Sequence, residues 1–244
     1  WNIIVLLIYS IISYRLYLIF MNIKVNFKKQ AFNKSNANLI LFADEKFNIT
    51  GIKKHISNSE YSYISDLLNN KDDKKKIVTF DISSKKKIIL VSLKRNLTDS
   101  DLENLGAQCY VILNELKETE YVVNSDSVPN GFKNILGYFL HGIKLKSYKF
   151  EKYKTKKDKG NISLNVAGKN IPSSKDQLKF NSIEEGTFYT RDLVSEPGNV
   201  LHPDEYARRI KSLGKFGLKI KIYDEKELKK LGMNTLLGVG QGSI

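Results

Sequence analysis

The chain has 244 residues, 41% of them hydrophobic and 27% charged, the proportions of a globular protein long enough to build a real core. Collagen-like and wholly disordered architectures are excluded, and Cys109, the single cysteine, rules out a disulfide scaffold and makes a reducing cytoplasm the expected compartment. The net charge of +14 invites an anionic partner, yet arginine stands only at positions 15, 95, 191, 208 and 209, and every other basic residue is lysine. Lysine is a point charge that coats surfaces, whereas bidentate phosphate contacts favour arginine, so the excess by itself names no ligand.

From Ile3 to Phe20, 15 of 18 positions are aliphatic or aromatic, about the length that crosses a bilayer. No basic segment precedes the run and no small-residue cleavage site follows it. Arg15 inside it would cost about 2.5–3.5 kcal/mol near a bilayer centre. Residues 1–20 are therefore expected to be a hydrophobic tail of non-native origin, with a membrane segment as the alternative, and the domain to open at Met21.

Beyond Met21 short apolar runs alternate with amphipathic helices, the α/β pattern. Strands are expected at 23–27, 39–43, 77–80, 88–93 and 121–124, several of them continuous enough to be covered on both faces. Thr98, with Asp101 three residues on, signals a helix start, and Leu102, Leu105, Cys109, Ile112, Leu113 and Leu116 fall on one stripe of that helix. Cys109 reads as a small core residue. Phe132, Ile135, Leu136, Phe139, Leu140 and Ile143 mark a second helix, and its His141, with no His or Cys at ligand spacing, reads as structural.

Residues 144–159 change character. Lys144, Lys146, Lys149, Lys152, Lys154, Lys156, Lys157 and Lys159 are interleaved with Tyr148, Phe150 and Tyr153. Ammonium groups beside aromatic faces suit a single-stranded nucleic-acid or other polyanion groove, and a solvated linker is the simpler alternative. Residues 161–179 are polar, with Gly168 and Pro172, so a domain boundary is expected between 160 and 180.

A helix over about 182–195 should stop at Pro197-Gly198. Pro203 fits the first position of the next helix, with Asp204 and Glu205 in its first turn and Tyr206, Ile210 and Leu213 as its buried stripe. Leu218, Ile220 and Ile222 alternate with lysines as a strand. Asp224 and Glu227 form a capping box for a short helix ending near Gly232. The run Gly238-Val239-Gly240-Gln241-Gly242-Ser243 misses the dinucleotide fingerprint and reads as a flexible turn. No GxxxxGK[ST], HExxH or GxSxG motif occurs, so no residue is assigned as catalytic or as a metal ligand.

The segment Thr190-Arg191-Asp192-Leu193-Val194-Ser195-Glu196-Pro197-Gly198-Asn199-Val200-Leu201-His202-Pro203-Asp204-Glu205-Tyr206-Ala207 resembles the opening of the peptidase domain in the leucyl (cytosol) aminopeptidases, family M17. Asp224 to Leu228, Leu231 to Met233 and Gly238 to Ser243 continue the likeness in order, and 147–154 is similar to the end of the family's amino-terminal domain. Gly198 stands where the family usually has a second proline, and His202 where it has a threonine cap.

The resemblance implies an α/β chain in three parts: a tail at 1–20, a macro-like three-layer amino-terminal domain at 21–170, and the truncated start of the peptidase domain at 175–244. It also implies two divalent metals, manganese or zinc, peptide substrates, a homo-hexamer when complete and a cytoplasmic setting. The family's metal-binding motifs, of the Asn-Thr-Asp-Ala-Glu-Gly-Arg type, match no position here. The chain alone is therefore expected to be an inactive fragment. Polyanion binding through Lys144–Lys159 and a non-functional remnant are the alternatives.

Overall fold

The computed structural model describes residues 23–29, 37–69, 75–129, 134–156 and 161–241. The hydrophobic run at 1–20 lies outside them. No helix among the described residues is long and apolar enough to cross a membrane. The chain divides into two compact units, Trp1–Phe188 and Tyr189–Ile244.

The first unit is built on a six-stranded sheet: β1 (Ile23–Lys28), β2 (Asn38–Asp44), β3 (Ile77–Ser83), β4 (Lys86–Leu93), β5 (Glu120–Asn124) and β6 (Ile162–Ala167). The spatial order is β1-β6-β5-β2-β4-β3. All neighbours are parallel except β3, which pairs antiparallel with β4 at the edge. Helices α1 (Asn58–Leu68), α2 (Asp99–Leu116) and α3 (Ile135–Ser147) supply the cover. The sheet is thus the parallel-dominated α/β fold expected from the sequence.

Strand alternation sends side chains to two separate cores. Ile40, Phe42, Ile89, Val91, Tyr121, Val123, Leu164 and Val166 pack with Leu105, Leu113, Phe139 and Ile143 of α2 and α3. Leu39, Leu41, Ile88 and Leu90 point the other way and pack with Ile64 of α1 and Ile52 of the 3-10 helix Thr50–His55. Strands buried on both faces need near-continuous apolar runs, which is what β2 and β4 have. At the β1–β6 edge the second face turns polar, and Asn26 Nδ2 donates to Asn165 Oδ1 at 3.1 Å.

Helices α2 and α3 lie backbone to backbone. A Cβ on Gly106 would sit 2.0 Å from the Phe139 carbonyl oxygen, and one on Gly142 would sit 2.0 Å from that of Glu103. Only glycine permits this approach from either side. Phe139 then meets Phe42 edge-to-face at 5.3 Å between ring centroids, tying the helix pair to the sheet.

Several elements depart from expectation. Strand β6 occupies a stretch whose polar composition points to a domain boundary, because its apolar residues, Ile162, Leu164 and Val166, serve one face while Ser163 and Asn165 serve the polar one. Helix α1, with its Ser57–Glu60 capping box, is an element additional to those expected. Helix α4 (Ser174–Ser195) begins well before 182, since the Ser173 hydroxyl accepts from the Asp176 backbone N–H at 3.1 Å and caps it there. Phe132 lies outside the described residues.

In the second unit, α5 (Pro203–Lys211), α6 (Glu225–Lys230) and α7 (Asn234–Gly240) follow α4. Pro203 opens α5 and Asp224 caps α6 as expected. Residues 218–222 form no strand: alternation specifies a half-buried ribbon only where a neighbour completes the ladder, and residues 189–241 contain no strand to pair with. Tyr206, expected on a buried stripe, is 47% exposed. Gly238 and Gly240 are part of α7 and not of a flexible turn.

Candidate functional site

The lysines of 144–156 do not form one stripe. Lys144 reaches back to α4, where its ammonium lies 2.8 Å from the buried Glu184 carboxylate and 3.3 Å from the Asn181 amide oxygen. Lys154 lies 3.6 Å from Glu151, and Lys152 sits over the Tyr153 ring. Lys146 turns instead towards α2 and lines a cavity of about 400 Å³ together with Lys76 and Lys94. Lys149 and Lys156 are exposed, and Lys157 and Lys159 lie outside the described residues.

The interleaved aromatics are engaged within the fold. Tyr148 packs on Phe188 at 5.2 Å and Phe150 on Tyr153 at 5.8 Å between ring centroids. A base-stacking platform needs an open ring face, and of these side chains only Tyr153 is more than half exposed.

Next to Lys144 lies a buried polar cluster. His141, on the α3 face towards α2, has Nδ1 2.8 Å from Glu103 Oε1 and its ring 5.2 Å from Phe180 of α4. Burial raises the Glu184 pKa, with the Lys144 ammonium opposing. The expectation that His141 is structural agrees with a ring fixed by one carboxylate and one aromatic neighbour. Cys109 is fully buried, and burial pushes its thiol up to about 12, so it is inert at neutral pH.

A second polar group, invisible in the sequence, closes the carboxyl ends of the central strands. Asn124 Oδ1 accepts from the Asp126 N–H at 2.9 Å, and Ser127 Oγ accepts from the Phe42 N–H at 3.0 Å while donating to the Asn124 carbonyl at 2.7 Å. Asp126 Oδ1 accepts from the Lys169 N–H at 2.6 Å. His55 faces this group, its pKa lowered by burial and by Lys54, with Asp126 opposing. Open α/β sheets bind ligands at such strand ends, and here the backbone at Gly168 packs closely on Ser125. Gly168, at φ +127°, would place a Cβ 2.1 Å from Ser125 Oγ. The group stitches β2, β5 and β6 together.

In the second unit the charges pair with one another. Glu205 accepts from Arg208 Nε at 2.6 Å and from Arg209 Nε at 2.8 Å, and Arg209 also reaches Glu196 at 3.0 Å. These guanidinium hydrogen bonds hold the Glu205 carboxyl down to about 2. His202 sits at the cap of α5 but makes no side-chain capping hydrogen bond, as expected where a threonine is replaced. Among the described residues, no group of three or more His, Cys, Asp or Glu is placed to hold a metal ion. Glu103 faces His141, Glu184 faces Lys144, and Glu196 and Glu205 face arginines, so these carboxylates are already paired.

Comparison with known proteins points to one family. Residues 188–244 match the profile of the cytosol aminopeptidase family, catalytic domain. A probable cytosol aminopeptidase of Nitrobacter winogradskyi is 44% identical over 108 residues, covering 42% of this chain and 22% of the relative. A probable cytosol aminopeptidase of Clostridium perfringens is 28% identical over 237 residues, covering 88% of this chain and 46% of the relative. The chain thus spans less than half the length of either relative. A solved structure of a tomato leucine aminopeptidase mutant superposes with a TM-score of 0.68 at 17% identity, covering 86% of this chain and 46% of that one, a likeness of fold. The chain is thus similar in sequence at 188–244 to the catalytic domain of the cytosol aminopeptidase family M17, and similar in fold over most of its length to a leucine aminopeptidase.

Proposed function

We propose that this chain carries the amino-terminal α/β domain, at 21–170, and the opening of the peptidase domain, at 175–244, of an M17-type leucyl aminopeptidase, and that by itself it does not turn over peptides. One observation carries the reading: the family match falls on 188–244, where Glu196 and Glu205 pair with arginines, Asp224 and Glu227 cap a helix, and no group of described residues is placed to hold a metal ion. In the family, two divalent cations, manganese or zinc, activate water and polarise the peptide carbonyl during release of amino-terminal residues. The residues described here do not fit such a pair, so they serve as scaffold. The cytoplasmic setting and the hexamer belong to the same proposal, supported by the relatives' name and by the family resemblance respectively.

The test is to purify the 244-residue chain, titrate it with Mn²⁺ and with Zn²⁺, and assay it on a leucyl anilide. No saturable metal binding and no turnover above buffer are expected. Metal-dependent release of the anilide would overturn the proposal. A second reading, polyanion binding by the lysines of 144–159, is favoured only by the position of Lys146 beside Lys76 and Lys94.

A further inference from the structure

That position supports a more specific assignment, independent of the aminopeptidase reading. Three lysines far apart in sequence converge on one cavity of about 400 Å³, within the size range of small-molecule sites. Lys76 immediately precedes β3, Lys94 follows β4, and Lys146 lies on the last turn of α3. The Ser92 N–H donates to the Lys76 carbonyl at 2.8 Å, which fixes the start of β3 against β4 at the cavity rim. Helix α2 contributes Asn104 and Gln108 to the lining, residues whose side-chain NH₂ groups can donate hydrogen bonds.

Asp101 acts on Lys76 across the lining, which leaves two of the three lysine charges uncompensated. Lys94 and Lys146 have no ion-pair partner among the described residues, in contrast to Lys86, Lys87, Lys144 and Lys154, each of which has one. The one carboxylate on the lining, Asp101, is held at the helix start, its Oδ2 accepting from the Thr98 N–H at 3.0 Å and from the Thr98 hydroxyl at 2.7 Å, and it offsets one of the three positive charges. Concentrating ammonium groups around a concave surface costs repulsion that an anion removes, and a cleft focuses their field.

The lining also says what kind of anion fits. It contains no arginine and no aromatic ring, so it has neither a fork for base edges nor a platform for stacking. Point charges with amide donors match phosphoryl oxygens, which need no planar partner. We propose that the cleft formed by α2, the end of α3 and the β3–β4 edge binds a small polyanion bearing two or more phosphate groups.

The probe is inorganic tripolyphosphate, titrated calorimetrically into the 244-residue chain at low ionic strength. One saturable site is expected, with affinity falling at least about tenfold in a Lys94→Ala/Lys146→Ala variant, the loss of roughly one charge-assisted contact. A Lys219→Ala/Lys221→Ala variant removes the same charge from the second unit and should stay within about twofold. Circular dichroism of each variant checks folding, and Lys76→Ala gives an independent second probe of the cleft. Equal losses in the two double variants would overturn the assignment, because the effect would then be general charge. Absence of saturable tripolyphosphate binding would overturn it too. So would tight binding of a single-stranded oligonucleotide without tripolyphosphate binding, which would give the lysines to nucleic acid.

Discussion

The sheet of residues 23–167 and the helices of 203–240 have similar proportions of apolar residues but use them differently. In the first, alternating β-strands feed two cores that α1, α2 and α3 close. In the second, no apolar residue between 194 and 241 is buried, and Val194, Phe216, Leu218, Leu231, Leu236 and Val239 are all more than half exposed. What orders its local structure is electrostatic: capping at Asp224 and the Glu196–Arg209–Glu205–Arg208 chain. The contrast teaches that helix signals of equal quality, such as the capping boxes at Thr98 and Asp224, fix local structure alone. A core requires a second layer to receive the apolar face.

The largest effect should come from the core between sheet and helices. Phe139→Ala removes the ring packed on Phe42 and should cost about 3–5 kcal/mol in urea unfolding. A change below about 1 kcal/mol would show that the α3 face is not what closes the first core. Gly106→Ala forces α2 from α3 and should cost about 1–3 kcal/mol as overpacking, with the same readout.

A smaller effect concerns Glu184. Its folded pKa is raised, chiefly by burial, so its contribution to stability is complete below the unfolded glutamate value and is lost as pH rises through the folded one. Across that window the urea midpoint of the wild-type chain should fall relative to that of Glu184→Gln. Parallel pH profiles would mean that burial does not govern this carboxyl.

The smallest effect lies in the second unit. Glu205 is depressed to about 2, so its contribution is present above the ordinary glutamate range and is lost as pH falls towards that value. Because the Arg208 guanidinium in this chain of pairs is exposed, Glu205→Gln or salt near 0.5 M, about three times physiological ionic strength, should speed amide exchange in 203–211 and leave the sheet strands unchanged. Slowed exchange at high salt would contradict an electrostatic origin.

Much of this division is legible in the sequence. Strands β2 and β4 announce themselves as continuous apolar runs, and Thr98, Pro203 and Asp224 mark helix starts by chemistry that acts within three residues. Strand β6 escaped because its polar residues meet Asn26 on a strand far away in sequence, a pairing that only the fold creates. The 218–222 alternation misled for the reciprocal reason, since no neighbour completes the ladder. The cleft of Lys76, Lys94 and Lys146 was illegible because only Lys146 belongs to the lysine-rich run. The other two arrive through the β3–β4 hairpin.

The most direct measurement is residue-resolved hydrogen exchange on the intact 244-residue chain at pH 7. Amides of β2, β4, β5 and β6 should exchange only through global unfolding, while those of 203–240 exchange by local opening at far lower free energy. Protection in 203–240 equal to that of the sheet would contradict the claim that one region carries its own core and the other does not.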